Sequence, residues 1–170
     1  TLLAGLTYPA VMLAEKTNSF SMKDWTLDGD AFFSQYYPDE YSAIEWLQQA
    51  PLGVVTEAIG GSYTDYARVS TRSGQPTVLG WPGHESQWRG GGDEMGSRMG
   101  DIQLLYETKD WDTAAGILQR YNVKYIYIGN LERSTYLVTT EKFANRLPVA
   151  YQNNSVIIYA VPAEVGTPIP

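Results

Sequence analysis

The chain contains no cysteine. That excludes disulfides, thiolate metal sites and a cysteine nucleophile. It has a single histidine, His84, so the two-histidine H-E-x-x-H zinc site is excluded; the second histidine's place is held by Trp88. Basic residues are scarce: 12 Lys and Arg stand against 19 Asp and Glu, for a formal charge of −7, and no basic run offers a local exception. Nucleic-acid partners are therefore not expected, since phosphates need a basic face. No G-x-S-x-G elbow and no G-x-G-x-x-G loop occurs. Internal repeats and low-complexity tracts are also missing. No long apolar run exists either. Leu2 to Ala14 is uncharged but spans only 13 residues, short of the about 20 a bilayer needs. It reads either as a core helix broken by Pro9 or as the outer end of a membrane helix.

What is present suits one folded domain. The length is 170 residues with 44% apolar content, enough for a single core. Thirteen tyrosines and five tryptophans make the chain rich in aromatic rings with a polar edge, which fit sugar faces and wet interfaces as well as cores. The pattern divides the chain into an N-terminal or membrane-end helix (1–16), an irregular lead-in (17–38), a soluble α/β domain (39–162) and a Pro-rich tail (163–170). Asp28-Gly29-Asp30 in the lead-in is a turn, since the other ligands of a calcium loop are missing.

Within the α/β domain, Asp39 is placed to cap a helix whose Tyr41, Ile44 and Leu47 share a face, stopped by Pro51 and Gly53. Val54 to Gly60 reads as a buried strand. Ser62 to Gln75 has room for a short helix, and Pro76 to Trp81 for a second short strand. Gly100 to Asp110 has helical spacing. The clearest helix comes next: Asp110 caps it, Trp111, Ala114, Ala115 and Leu118 recur at i, i+3, i+4 and i+7, and Asn122 suits the left-handed position after its end. Val123 to Ile128 is a strand, and a further helix starts near Thr139 or Thr140. Val149–Gln152 and Ser155–Val161 pair through Asn153-Asn154, which tolerate the positive φ of a tight hairpin. Asn153-Asn154-Ser155 also matches a glycosylation sequon, but its place in a turn favours turn chemistry. The expected fold is three-layer α/β, a mostly parallel sheet flanked by helices with a C-terminal antiparallel hairpin.

One stretch fits none of these elements. Gly80 to Asp101, "GWPGHESQWRGGGDEMGSRMGD", holds two tryptophans, two arginines, four acids and the histidine among seven glycines. It reads as a structured polar and aromatic loop. Trp81 and Trp88 could stack on sugars or pack beneath the loop. Arg89 and Arg98 could fork onto a carboxylate or phosphate, or bind Glu85, Glu94 or Asp101 and hold the loop together. An oxygen-rich cation site from Glu85 with Asp93, Glu94 or Asp101 is a weaker alternative; no metal or cofactor is expected.

The segments "YSAIEWL", "YARVSTRSGQPTVLGWPGHESQWRG", "DIQLLY", "YNVKYIYIGNLER" and "VIIYAV" together resemble the Chlor_Arch_YYY family of polytopic membrane proteins of bacteria and archaea, from about Leu6 to Val161. That family is similar to the GT-C membrane glycosyltransferases. The resemblance implies the extracytoplasmic C-terminal domain of a cell-membrane protein, with "GLTYP" at the exit of the last membrane helix. It implies the membrane-embedded part of the same polypeptide as partner and a glycan or lipid-linked sugar as ligand. In such enzymes the catalytic acid lies in the membrane part, so no catalytic residue carries over. The motif positions that do are Trp81, His84, Glu85, Trp88, Arg89, Glu132 and Arg133. Two alternatives stand beside this reading: a stand-alone hydrolase using His84 and Glu85, and a purely structural interaction domain whose motif arginines are buried and paired.

Overall fold

The computed structural model describes residues 2–21, 26–93, 95–163 and 165. The chain divides into two units, Thr1–Tyr36 and Tyr37–Pro170. In the first, helix α1 (Leu2–Lys16) runs through Pro9 without a break, and a short α2 spans Asp30–Tyr36. The turn before α2 is closed by Asp28, whose carboxylate accepts the Asp30 amide at 2.9 Å. Among the described residues no helix is long and apolar enough to cross a membrane. The tail expected over 163–170 lies outside the described residues except for Ala163 and Val165.

The second unit is a four-stranded sheet with helices on both faces. In chain order it contains α3 (Pro38–Gln49), β1 (Val54–Thr56), α4 (Arg68–Ser73), α5 (Pro82–Arg89), α6 (Arg98–Glu107), α7 (Trp111–Arg120), β2 (Val123–Ile128), α8 (Asn130–Thr135), α9 (Glu141–Ala144), β3 (Val149–Gln152) and β4 (Ile157–Ala160). The strand order is β1-β2-β4-β3. The α/β class and the closing antiparallel hairpin are as expected. The sheet is mixed, however, where the sequence suggested mostly parallel: β1–β2 is parallel, while β2–β4 and β4–β3 are antiparallel. The Pro76–Trp81 segment contributes a single parallel bridge, Val55 to Thr77. Val54–Gly60 leaves the ladder after Thr56, because the amides of Ala58 and Ile59 turn to side-chain acceptors, Glu132 and the Tyr136 hydroxyl.

β2 is the centre of the unit, and its side chains alternate between the faces. Ile126 and Ile128 join Ile102 and Leu105 of α6, Leu118 of α7 and Phe143 of α9 in the main apolar cluster. Tyr125 points the other way, edge-on to Trp46 of α3 with centroids 5.9 Å apart. Each such fully buried aliphatic or aromatic side chain contributes roughly 1.5–3 kcal/mol.

The helix ends have identifiable partners. Asp110 caps α7 by accepting the Thr113 amide at 2.8 Å, and Asn122 adopts φ 49° just beyond it, both as the sequence predicted. At α3 the first position belongs to Pro38, and Asp39 lies in the first turn rather than capping it. The end of α3 is closed by Gln75, whose Nε2 donates to the carbonyls of Leu47 and Ala50. The last turn of α6 is closed by Lys142, whose Nζ donates to the Tyr106 carbonyl at 3.0 Å and to Thr139 O at 2.8 Å. Burial pulls this ammonium down to about 8.

The hairpin turn corrects one expectation. Neither Asn153 nor Asn154 has positive φ. Asn153 acts through its side chain: Oδ1 accepts the amides of Val156 (2.9 Å) and Ser155 (3.2 Å), and Nδ2 donates to Asp39 O (2.8 Å) and Tyr151 Oη (3.1 Å). The turn is thus stitched to α3 by an amide side chain. Asn153→Gly should therefore destabilise as much as Asn153→Ala, by about 2–3 kcal/mol, seen as a matching drop in melting temperature. A turn that needed positive φ would instead tolerate glycine.

Candidate functional site

Within the stretch 80–101, which reads as a loop in the sequence, residues Pro82–Arg89 form helix α5 and Arg98 opens α6. Pro82 occupies the first position of α5, where its fixed φ suits the helix, and Gly90 closes it at φ 76°. That pairing of proline at the start and glycine past the end is a helix signature, and the density of polar residues and glycines hid it. Glu85 reaches back to accept the Gly80 amide at 2.7 Å. Its other oxygen pairs with Arg89 Nε at 3.3 Å, one turn on.

Three rings meet where α5 begins. Trp81 and His84 lie 5.2 Å apart at 80°, Tyr63 and His84 4.7 Å apart at 81°, and Tyr63 and Trp81 5.5 Å apart at 46°. The result is a corner of rings in largely edge-to-face contact, a favoured aromatic geometry. Trp81 is anchored: its indole Nε1 donates to the Tyr66 carbonyl at 2.7 Å. Tyr63 remains 82% exposed, and Trp88, one turn beyond His84, is 84% exposed. The corner is therefore open to solvent, and Trp88 extends it along α5.

Tyr63 was not visible from the sequence, and no spacing marks it. It is delivered by the loop 60–67, in which Tyr63 (φ 59°) and Ala67 (φ 62°) both take left-handed backbone. Such conformations cost a non-glycine residue about 1–2 kcal/mol each, so surrounding contacts must hold them. The Tyr66 ring lies directly against Gly60, where a Cβ would collide with it. The Tyr66 hydroxyl meets Thr135 Oγ1 of α8 at 3.3 Å.

The remaining predicted residues separate. Arg133 is exposed and donates to the Ser155 carbonyl at 2.5 Å, next to the hairpin turn. Arg98 opens α6, and no contact among the described residues joins it to the rings. Glu94 lies outside the described residues. Glu132 is fully buried with both oxygens engaged: Oε1 accepts the Ala58 amide (2.9 Å) and Arg68 Nη1 (3.2 Å), and Oε2 accepts the Gly129 amide (2.8 Å) and Arg68 Nη2 (3.2 Å).

Glu132 belongs to a buried charge network that the sequence did not reveal. Arg68 forks onto Glu40 of α3, with Nε to Oε2 at 2.6 Å and Nη2 to Oε1 at 3.1 Å, while also holding Glu132. Burial works against the Arg68 charge, but the Glu132 and Glu40 carboxylates outweigh it and hold the guanidinium charged. Glu57, directly after β1, accepts the amides of Val69 (2.8 Å) and Ser70 (3.0 Å), closing the start of α4. Burial raises the Glu57 carboxyl; its Ser70 and Val69 hydrogen bonds oppose the rise, and the Glu132 charge adds to it. Gly129 leaves space for this packing: a Cβ there would lie 2.9 Å from Tyr127 Cε1 and 3.2 Å from an oxygen of each of Glu132 and Glu40.

Chemically, the surface part is a set of ring faces with an ion pair beside it. Among the described residues no contact links His84 to a carboxylate or hydroxyl. Among those residues there is also no group of three or more His, Asp or Glu that could hold a metal ion.

No family model matches the chain, the family suggested by its motifs included, and no curated protein matches it. Among solved structures it is similar to the C-terminal globular domain of an oligosaccharyltransferase from Archaeoglobus fulgidus, at 9% identity and a TM-score of 0.45, over 73% of this chain and 97% of that one. A likeness of that size assigns neither family nor function.

The network generates two predictions. A Glu57 carboxyl raised on folding stabilises fully below its ordinary value of 4.5, and that contribution is lost as pH rises through the folded value. Glu57→Gln is neutral at every pH. The melting-temperature difference between variant and wild type should therefore shift in the variant's favour as pH rises above 4.5; a pH-independent difference would show that folding does not raise this carboxyl. Gly129→Ala should cost about 1–3 kcal/mol in thermal or urea unfolding, because two fixed carboxylates and a ring line the space.

Proposed function

We propose that the chain is a glycan- or acceptor-facing domain that binds a saccharide on the aromatic corner of Tyr63, Trp81 and His84, continued by Trp88, and is not catalytic alone. The observation that carries this reading is the exposure of Tyr63 and Trp88 around an anchored Trp81. Ring faces held in advance bind a flat apolar sugar face without further ordering cost. Arg89 flanks the rings through its pair with Glu85. Arg98 and Arg133 lie off the corner, and Glu132 supports the fold beneath it. No cofactor is assigned.

The setting we propose is the extracytoplasmic face of a cell membrane, as the domain of a GT-C-like glycosyltransferase whose membrane-embedded part supplies catalysis and a lipid-linked sugar. The motif resemblance and the uncharged Leu2–Ala14 stretch support this setting. A hydrolase on His84 and Glu85 draws no comparable support, since both Glu85 oxygens are already engaged by Gly80 and Arg89.

Titration of the 170-residue chain with neutral oligosaccharides of increasing length tests the reading by tryptophan fluorescence. Trp81→Ala should weaken binding by about 2 kcal/mol, roughly 30-fold in Kd. Trp88 lies about 10 Å along the helix from Trp81, so Trp88→Ala should weaken only the longer ligands. Equal binding, or none, by wild type and both variants would sink the proposal.

A further inference from the structure

We infer that Arg68 and Glu132 are positioning residues: with Glu40 they form a buried ion triad that poses the loop 60–67 and so sets the geometry of the aromatic corner. The functional meaning of this rests on the saccharide reading; the geometry does not.

The link is short and continuous. Arg68 follows Ala67, the left-handed residue that ends the loop. The next amides, those of Val69 and Ser70, are fixed by Glu57. Two residues before Arg68, the Tyr66 carbonyl receives the Trp81 indole. The Tyr66 hydroxyl is held by Thr135, on the same short helix that carries Glu132. Tyr136, the residue after that helix, accepts the Ile59 amide on its hydroxyl at 3.1 Å, fixing the backbone just ahead of Gly60. Both ends of the loop are thus tied to the segment 132–136, and Tyr63 rides between them at φ 59°.

Stability alone gives a weak reason for this arrangement. A buried ion pair is often matched or bettered by apolar residues of similar volume. What an apolar replacement cannot supply is direction. A guanidinium fork donates to two carboxylates only in its own plane, so it fixes the orientation of the chain that carries it. Backbone in the left-handed region persists where surrounding contacts over-determine it.

The single histidine provides a readout that needs no ligand. His84 lies within 4.7 Å of Tyr63 and 5.2 Å of Trp81 by ring centroid, so the rings displace its Cε1–H proton resonance, and a proton–carbon NMR spectrum of the chain contains one such signal. In Arg68→Lys and Glu132→Gln, recorded well below their melting temperatures, this resonance should move most of the way to the position of a solvent-exposed histidine. Leu118→Ala, a core truncation in α7, should lower the melting temperature and leave the resonance in place. A triad that only stabilises the fold would make all three variants behave like Leu118→Ala, and that result overturns the inference. Should the triad variants fail to fold, Thr135→Val decides: loss of the Tyr66 tether should shift the His84 signal partway, and an unmoved signal overturns the inference. Saccharide affinity should fall in step with the His84 shift. If wild type binds no saccharide, the corner's proposed function fails while the resonance still judges the positioning role.

Discussion

One guanidinium, that of Arg68, holds together three helices that are far apart in the chain. It joins its own α4 to Glu40 of α3 and Glu132 of α8 in the buried interior. Removing one partner from such a buried set costs about 3–5 kcal/mol, because the others remain charged and unmatched. The set is also unbalanced: Glu40, Glu57 and Glu132 are all buried, against one buried arginine. A buried site resists a surplus of negative charge. The Glu57 carboxyl is raised first by its burial, and the Glu132 charge adds to the rise against the hydrogen bonds from Ser70 and Val69. The Tyr127 hydroxyl, buried beside the network and without a hydrogen-bond partner among the described residues, is pushed up by burial and by the Glu40 charge, and so stays protonated.

The network's location is a product of the topology. β1, β2 and the Thr77 bridge run parallel, so the chain leaves all three at the same end of the sheet. Glu57 sits just past β1, Gly129 and α8 just past β2, and Trp81 just past the bridge. The carboxyl ends of parallel strands are where open α/β sheets leave a crevice for ligands. Here the ion triad occupies that end of the sheet, and Trp81 follows the bridge strand toward the same end. The mixed character of the sheet does not alter this, because the antiparallel strands β4 and β3 lie on the other side of β2.

Elements with a strong period were legible in the sequence. Helix α7 was marked by its apolar spacing and both its ends, and β2 by a β-branched and aromatic run. Helix α5 was not, although Pro82 and Gly90 frame it, because seven glycines and many charges between Gly80 and Asp101 obscure any apolar stripe. The site was half legible. Trp81, His84 and Trp88 were singled out as residues, but Tyr63 depends on positive φ at a non-glycine position, which composition does not announce. Arg68 and Glu40 were missed because their contact spans 28 residues of sequence and leaves no local trace. Glu132 stands out in the sequence only as a motif position and ligand candidate; in the structure it is buried and both its oxygens are held by Arg68 and backbone amides. The hairpin asparagines were placed correctly and given the wrong mechanism, since side-chain hydrogen bonding and positive φ favour the same residue type.

The Asn153 side chain has a chemical consequence for its own sequon. Its side-chain nitrogen has two hydrogens, and both are committed, one to the Asp39 carbonyl and one to the Tyr151 hydroxyl. The same nitrogen is the atom to which a glycan would be joined at Asn153-Asn154-Ser155. Closing the hairpin onto α3 therefore withdraws the sequon from any modifying enzyme. A glycan on that nitrogen would replace one of its two hydrogens, so it and the fully stitched turn exclude each other.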